Sequence, residues 1–270
     1  MHYQFSKRLN PAILEEITRK DFKAIEQRIG SFLTEEMEAR KSLGVTFGLS
    51  GGIDSAVIAT LCAKFAKEKS LALVMPSSKI TPPADTEDAI KIVDTLHLEY
   101  KLVDIGFIHK EYSKYLESNP IAFGNLGARI RSNILYYYAN ARNFLVLGSG
   151  DRSEYLIGYF TKYGDGAADL LPIASLYKTQ IREFAKYLGV SPNIISKPSS
   201  PRLWEGHTAQ GEIGLTYEEI DSILHCIFDK GLSVGETAKV TDIPISDVDK
   251  IYQMHKRSEH KRITPKICTI

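Results

Sequence analysis

At 270 residues the chain can bury a substantial core, in one large domain or two small ones. A composition of 43% apolar and 25% charged residues excludes global disorder, and 34 basic against 33 acidic side chains leave a net charge of +1, which creates no whole-molecule field for nucleic acid or membrane. Three scattered cysteines, Cys62, Cys226 and Cys268, form neither a metal-type pair nor a disulfide framework, and they read as structural thiols.

Met1 to Asn10 carries no apolar signal segment, and no stretch approaches the ~18 apolar residues of a membrane span, so a cytoplasmic protein with no membrane partner is expected. Ile13, Ile17, Phe22, Ile25, Ile29 and Phe32 recur at near-helical spacing and predict a helical N-terminus. The apolar run Val45 to Leu49 predicts a strand, which breaks into a glycine-rich loop and continues as a helix from Ala56 to Lys67. Leu71 to Met75 reads as a second strand ended by Pro76, and Thr81 to Asp85 opens a helix that runs to His97. Leu98 to Ile105 alternates like a strand. A tyrosine-rich helix from about Gly127 to Arg142 leads into a fourth strand, Phe144 to Leu147, and a polar turn, Gly148 to Glu154. Ile157 to Leu171 and Ser191 to Gly214 are irregular, and the chain is helical again from Leu215. Strand and helix in alternation predict an α/β fold, a parallel sheet flanked by helices, with both polar glycine turns at strand carboxyl ends where ligands bind.

The loop Gly48-Leu49-Ser50-Gly51-Gly52-Ile53-Asp54-Ser55 carries the chemistry. A strand, a glycine turn and a helix aim backbone N–H groups at one spot, which makes an anion site. Gly51 and Gly52 let the backbone approach a phosphate, and Ser50 and Ser55 add hydroxyl donors. Asp54 would repel a bare phosphate and makes sense with a magnesium ion between them. The loop lacks the lysine of a Walker A sequence.

This string resembles the signature loop of the N-type ATP pyrophosphatases, which cleave ATP between the α and β phosphates. That superfamily includes NAD synthetases, GMP and asparagine synthetases and tRNA-thiolating enzymes. Further motifs choose among them. Leu126-Gly-Ala-Arg129-Ile-Arg131, Leu147 to Glu154, Tyr159 to Pro172, Leu176-Tyr-Lys178-Thr, Pro198-Ser-Ser200 with Leu203-Trp204, and Ser258 to Arg262 resemble NAD synthetases, in that family's order, over about residues 20 to 265.

The resemblance implies a Rossmann-like fold of the adenine nucleotide alpha hydrolase type, with helical N- and C-terminal extensions, as a single domain over residues 1–270. It implies an ATP-dependent amidation of deamido-NAD through an adenylate, giving NAD, AMP and pyrophosphate. Gly48 to Ser55, Ser149, Lys178 and Ser200 would contact ATP, and Asp54 with Glu154 would hold Mg2+. Lys178 would neutralise the departing pyrophosphate. Arg129, Lys162, Asp169, His260 and Lys261 would bind deamido-NAD, and Asp165 would position ammonia or accept a proton from ammonium. No Cys/Glu/Lys constellation of a glutaminase domain appears, so free ammonia is the expected nitrogen donor. A homodimer is expected from the family alone.

Several of these residues also admit plainer roles. Arg129 and Arg131 could form a solvated helix face, Glu154 a helix-start carboxylate, and His260-Lys261 part of a solvated basic tail. Tyr136 to Tyr138 read as core or subunit-contact residues, and Trp204 as lid or packing. Ser149 stands where threonine is common in the family, and Glu205 to Gln210 departs from its more acidic pattern, so no acid/base or metal role is assigned there. A tRNA-modifying enzyme of the same fold would need a basic surface and usually catalytic cysteines. A helix-turn-helix reading of Gly231 to Ile251 meets the acidic Asp247 and Asp249 on its second helix, which would repel DNA phosphates.

Overall fold

The computed structural model describes residues 9–78, 80–200, 203–204 and 206–269. The N-terminal periodic stretch forms two helices, α1 (Pro11–Thr18) and α2 (Phe22–Ala39). Capping separates them: the side chains of Asn10 and Asp21 accept the N–H groups of Ala12 and Ala24. Then follow β1 (Gly44–Gly48), α3 (Ile53–Phe65), β2 (Ser70–Val74), α4 (Pro83–Leu96), β3 (Glu99–Leu102), α5 (Gly106–Tyr112), α6 (Pro120–Arg142) and β4 (Phe144–Leu147). After β4 come α7 (Arg152–Ile157), α8 (Lys178–Tyr187), α9 (Pro192–Ile195), α10 (Ala209–Ile213), α11 (Tyr217–Leu224), α12 (Val234–Thr241) and α13 (Ile245–Arg257).

Among the described residues the four strands make one parallel sheet in the order β3-β2-β1-β4, with Thr46 opposite Leu71 on one side and Val146 on the other. Leu71 and Leu73 of β2 pack with Ile105 and Ile130 on one face of the sheet. The alternate residues Ala72 and Val74 join Val57, Leu61, Val93 and Phe184 on the other. The period of two therefore serves two cores, which is why the inner strands read as unbroken apolar runs. A further core joins α1 to the C-terminal helices: Ile13 and Ile17 pack in a cluster with Tyr177, Ile220, Leu224, Val248 and Ile251.

Element ends differ from the sequence expectations where caps intervene. α3 begins at Ile53 rather than Ala56, because Gly52 takes an extended conformation that serves as its N-cap. α6 begins at Pro120 rather than Gly127, with Asn119 accepting from Ala122 N–H and Pro at a first-turn position. β3 is shorter than expected, and all four of its residues are exposed at the sheet edge. The glycine-rich stretch after α7 ends in a parallel bridge, Leu147 with Leu170, that lays it beside β4.

Candidate active site

The strand order reverses direction between β1 and β4, and in such sheets ligands bind in the crevice at that point. A cavity of about 460 Å³ opens there. Its walls include Gly48, Leu49, Ser50, Gly52, Ile53, Asp54 and Ser55 after β1, and Gly148, Ser149 and Glu154 after β4. Gly51 has φ +77°, and a Cβ on it would stand 2.2 Å from the Asp85 carbonyl, so only glycine fits. Ser55 ties the loop down: its Oγ accepts from Ser50 N–H and donates to Gly52 O, and it lies 3.1 Å from Ser50 Oγ.

The floor of the cavity is acidic. Asp54 sits in the first turn of α3, Asp151 is the N-cap of α7 and accepts from Glu154 N–H, and Glu154 lies in that helix's first turn. One carboxylate oxygen from each of the three lies within 4.8 Å of the others. Lys178, the first residue of α8, is completely buried among them, with Nζ 2.8 Å from Asp54, 2.7 Å from Asp151 and 3.0 Å from Glu154. The contact to Asp151 Oδ2 is an ion pair out of hydrogen-bonding alignment, and Asp54 Oδ1 is buried with no hydrogen-bond partner. Burial opposes the Lys178 charge, but the fields of Asp151, Asp54 and Glu154 outweigh it and hold the ammonium's pKa well above its ordinary value. Burial, and then the neighbouring Asp151, push the Glu154 carboxyl up to about 8 against the pull of Lys178. Burial also raises Asp151. Three carboxylates and one ammonium leave two negative charges unmatched when all are ionised. With a buried oxygen lacking a partner, this donor set fits a hard divalent cation.

The structure places the expected residues in four groups. Asp54, Glu154, Ser149, Ser200, Asp165 and Lys261 face the cavity. Lys178 lies beneath its floor, behind Asp54 and Glu154, so its charge reaches the cavity through those carboxylates. Arg129, Lys162 and His260 are linked outside the cavity lining, with Arg129 Nε donating to Lys162 O and Lys162 Nζ to His260 O. Asp169 is held at the sheet, accepting from Val146 N–H and Tyr136 OH. Asp165 accepts from Thr161 N–H and remains exposed at the cavity. Glu154 is both a first-turn carboxylate and a member of the acidic cluster. Lys261 does not belong to a loose tail: its Nζ donates to Gly158 O and Phe160 O, both at 2.7 Å.

Sequence reasoning missed four features. Asp151 was legible as an N-cap in Asp-Arg-Ser-Glu, a capping pattern. Arg131 lines the cavity and donates to Met75 O, whereas Arg129 points away from it. Residues two apart on a helix diverge by about 200°, so one of the pair had to face out, and nothing local says which. Lys197 braces the loop from below, with Nζ 3.2 Å from Gly51 O, 2.9 Å from Asp85 and 2.7 Å from Asp88. Trp204 stacks on His207 at 3.6 Å, and His207 shares its Nε2 with Tyr159 OH and Glu212, a cluster no sequence signal marked.

Residues 25–265 match the family model described as NAD synthase. The chain belongs to that family. It is 48% identical to the NH(3)-dependent NAD(+) synthetase of Hyperthermus butylicus, over 93% of this chain and 92% of that one. Among solved structures it is similar to NMN synthetase from Francisella tularensis, with a TM-score of 0.81 and 35% identity over 93% of this chain and all of the other. The NH3-dependent NAD synthetase from Campylobacter jejuni aligns with a TM-score of 0.79 and 33% identity, over 93% of this chain and all of that one. Family membership gives the cavity a context: a crevice lined by a serine-glycine loop, above three converged carboxylates, in a family of nucleotide-amidating ligases.

Proposed function

We propose that the chain is an ammonia-dependent NAD synthetase, amidating the nicotinate carboxylate of deamido-NAD at the expense of ATP, which leaves as AMP and pyrophosphate. The observation that carries this reading is the cluster of Asp54, Asp151 and Glu154 around the buried Lys178, directly below the Ser50 to Ser55 loop. The triphosphate of ATP would lie on the loop, where the N–H groups opening α3 and the Ser50 hydroxyl face it and Ser55 holds the loop in shape. Asp54, Asp151 and Glu154 would hold Mg2+, which when bound supplies charge neutralisation for the triphosphate. The substrate carboxylate then attacks the α-phosphorus and pyrophosphate departs; ammonia attacks the resulting acyl carbon, and AMP leaves with the carboxylate oxygen. The nitrogen must shed protons to become a neutral amide. Asp165, accessible at the cavity, suits that task. Lys178 acts on the carboxylates, opposing the effect of burial on their ionisation and holding them converged. Lys261 in the wall, and Arg129, Lys162 and His260 outside it, offer positive charge and hydrogen-bond donors for deamido-NAD, whose own phosphates are anionic. Asp169 would act there by holding the loop beside β4.

Free ammonia as donor belongs to the same reading, supported by the names of the relatives, and a single domain is part of that reading. A homodimer would use exposed apolar side chains such as Phe107, Tyr115 and Leu116, in and just after α5. A cytoplasmic setting fits the three cysteines, none of them paired. Among the described residues no helix is long and apolar enough to cross a membrane.

The test is a product assay with ATP, Mg2+ and ammonium chloride, offering deamido-NAD or nicotinate mononucleotide in separate reactions. NAD, AMP and pyrophosphate in equal amounts from deamido-NAD is the expected outcome. Amidation of the mononucleotide alone would favour the second reading, suggested by the similarity to NMN synthetase. Turnover with glutamine but not with ammonium, or no AMP at all, would overturn the first.

A further inference from the structure

Helix α11 opens with a capping box, Thr216 and Glu219, that fixes its first turn beside the cavity floor. Tyr217 and Asp221, one turn apart on this helix, both meet the acidic cluster's supports. Tyr217 OH lies 3.3 Å from Glu154 Oε1, and Lys178 Nζ stands 5.2 Å from the centre of the Tyr217 ring. Asp221 is completely buried. Its Oδ1 accepts from Ser153 Oγ at 2.5 Å and its Oδ2 from Thr179 N–H at 2.8 Å. Ser153 Oγ in turn accepts from Lys178 N–H at 2.9 Å. The serine hydroxyl thus has its direction set, giving its proton to the carboxylate and taking one from the amide.

A buried carboxylate is costly unless its oxygens are fully engaged. This one is engaged by a hydroxyl and an amide at the N-terminus of α8, where the helix dipole also favours an anion. A well-packed apolar residue could fill the volume, but it would leave the Ser153 hydroxyl and the Thr179 N–H without acceptors. What the carboxylate secures is the register of α7 against α8. Those helices carry Glu154 and Lys178 on the residues next to its two partners.

We propose that α11 is the positioning element of the acidic cluster. Asp221, through Ser153 and the N–H groups that open α8, and Tyr217, through Glu154 and the Lys178 ammonium, hold Lys178 centred among Asp54, Asp151 and Glu154. The three carboxylates thereby stay converged to take a divalent cation together with ATP. For its kinetic half this positioning rests on the ligase reading above; cation binding does not need it.

The test uses Asp221→Asn, Ser153→Ala and Tyr217→Phe in the full chain. Asp221→Asn keeps the shape but turns one acceptor into a donor, so either Thr179 N–H loses its acceptor or the Ser153 hydroxyl must turn round and accept, leaving its own proton without the carboxylate. In the folded Asp221→Asn protein, Mn2+ binding in the presence of ATP, measured by calorimetry, is expected to weaken about ten-fold, the range seen when groups that orient metal ligands are removed. The Mg2+ concentration for half-maximal rate should rise with it and kcat should fall, while KM for the acid substrate stays within about two-fold, since Asp221 is buried outside the cavity lining. Ser153→Ala should act in the same direction, and the double variant should be little worse than Asp221→Asn alone, as members of one chain are not additive. If Asp221→Asn fails to fold, Ser153→Ala and Tyr217→Phe carry the test. Folded variants with unchanged Mn2+ affinity and Mg2+ dependence overturn the proposal, including a loss of activity that merely follows a lower melting temperature. A wild-type protein that makes no NAD, with variants that still lose Mn2+, overturns the ligase reading and supports the positioning one.

Discussion

Gly51 shows how much one residue can carry. Its positive φ and the 2.2 Å approach to Asp85 O leave no room for a methyl group, and Lys197 holds its carbonyl from the other side. Gly51→Ala must therefore move the loop or α4. We expect it to cost about 1–3 kcal/mol of stability from strain alone and to raise KM for ATP by an order of magnitude, about 1.4 kcal/mol of lost binding; a melting curve and ATP kinetics check this. The Glu154 carboxyl makes a second prediction. Its pKa in the folded, metal-free protein is about 8, above its ordinary value of 4.5. Between those values the folded state keeps a proton that the unfolded chain has lost, so this contribution to stability is full below pH 4.5 and disappears as pH rises through 8. A divalent cation replaces that proton, so the rise in melting temperature produced by Mg2+ should be larger at pH 8.5 than at pH 6.5. An equal rise at both would show that Glu154 is not a ligand. The loop and Asp54 were legible from residues alone, because a glycine pair and an acidic residue at a helix start each have a local cause. Lys178 was visible as a first-turn cation, against the dipole. Asp54 and Glu154 were joined to it only through the family resemblance and Asp151 not at all, because the turn that carries Asp151 and Glu154 lies about a hundred residues beyond Asp54 in the chain.

The elements were legible in kind and order, less so at their ends. Caps decide the ends: Asn10, Asp21 and Asn119 each accept from an amide within three residues, and Gly52 starts α3 through its extended backbone. The C-terminal basic run is the element most changed by the structure. Arg262 reaches back to the end of α7, donating to Leu156 O at 2.9 Å and to Ser258 Oγ at 2.7 Å, while Lys261 satisfies Gly158 O and Phe160 O. A helix end leaves carbonyls unsatisfied, and these two cations fill that need. Arg262→Met should cost about 1.5–3 kcal/mol, the usual worth of hydrogen bonds to a charged group. By loosening Lys261 it should also raise KM for deamido-NAD more than KM for ATP. Equal changes in both would show that the run serves stability only.

At the scale of the molecule, two packing units meet at the carboxylate cluster. The sheet with α3, α4 and α8 supplies Asp54 and Lys178; the other unit joins α1 to the C-terminal helices and supplies Tyr217 and Asp221. α1 belongs to this second unit although it opens the described chain: Ile17 is completely buried, and its carbonyl accepts from Gln180 Nε2 at 2.8 Å. Ile17→Ala should cost about 2–5 kcal/mol, as for other fully buried aliphatic residues. Because α11 packs in the same cluster, that variant should also weaken Mg2+ stabilisation, which thermal melts with and without the ion would detect.

By itself the sequence determined the parallel α/β order, the anion-binding loop after β1 and the family resemblance, because periodicity, glycine turns and caps act over a few neighbouring residues. The tertiary structure decided that Asp151 completes the cluster, that Lys178 lies under its floor, that Arg131 rather than Arg129 faces the cavity, and that Asp221 holds α7 against α8. These depend on how each helix is rotated and where it is docked. Rotation and docking are set by the packing of two whole cores, and no short window of sequence contains that information.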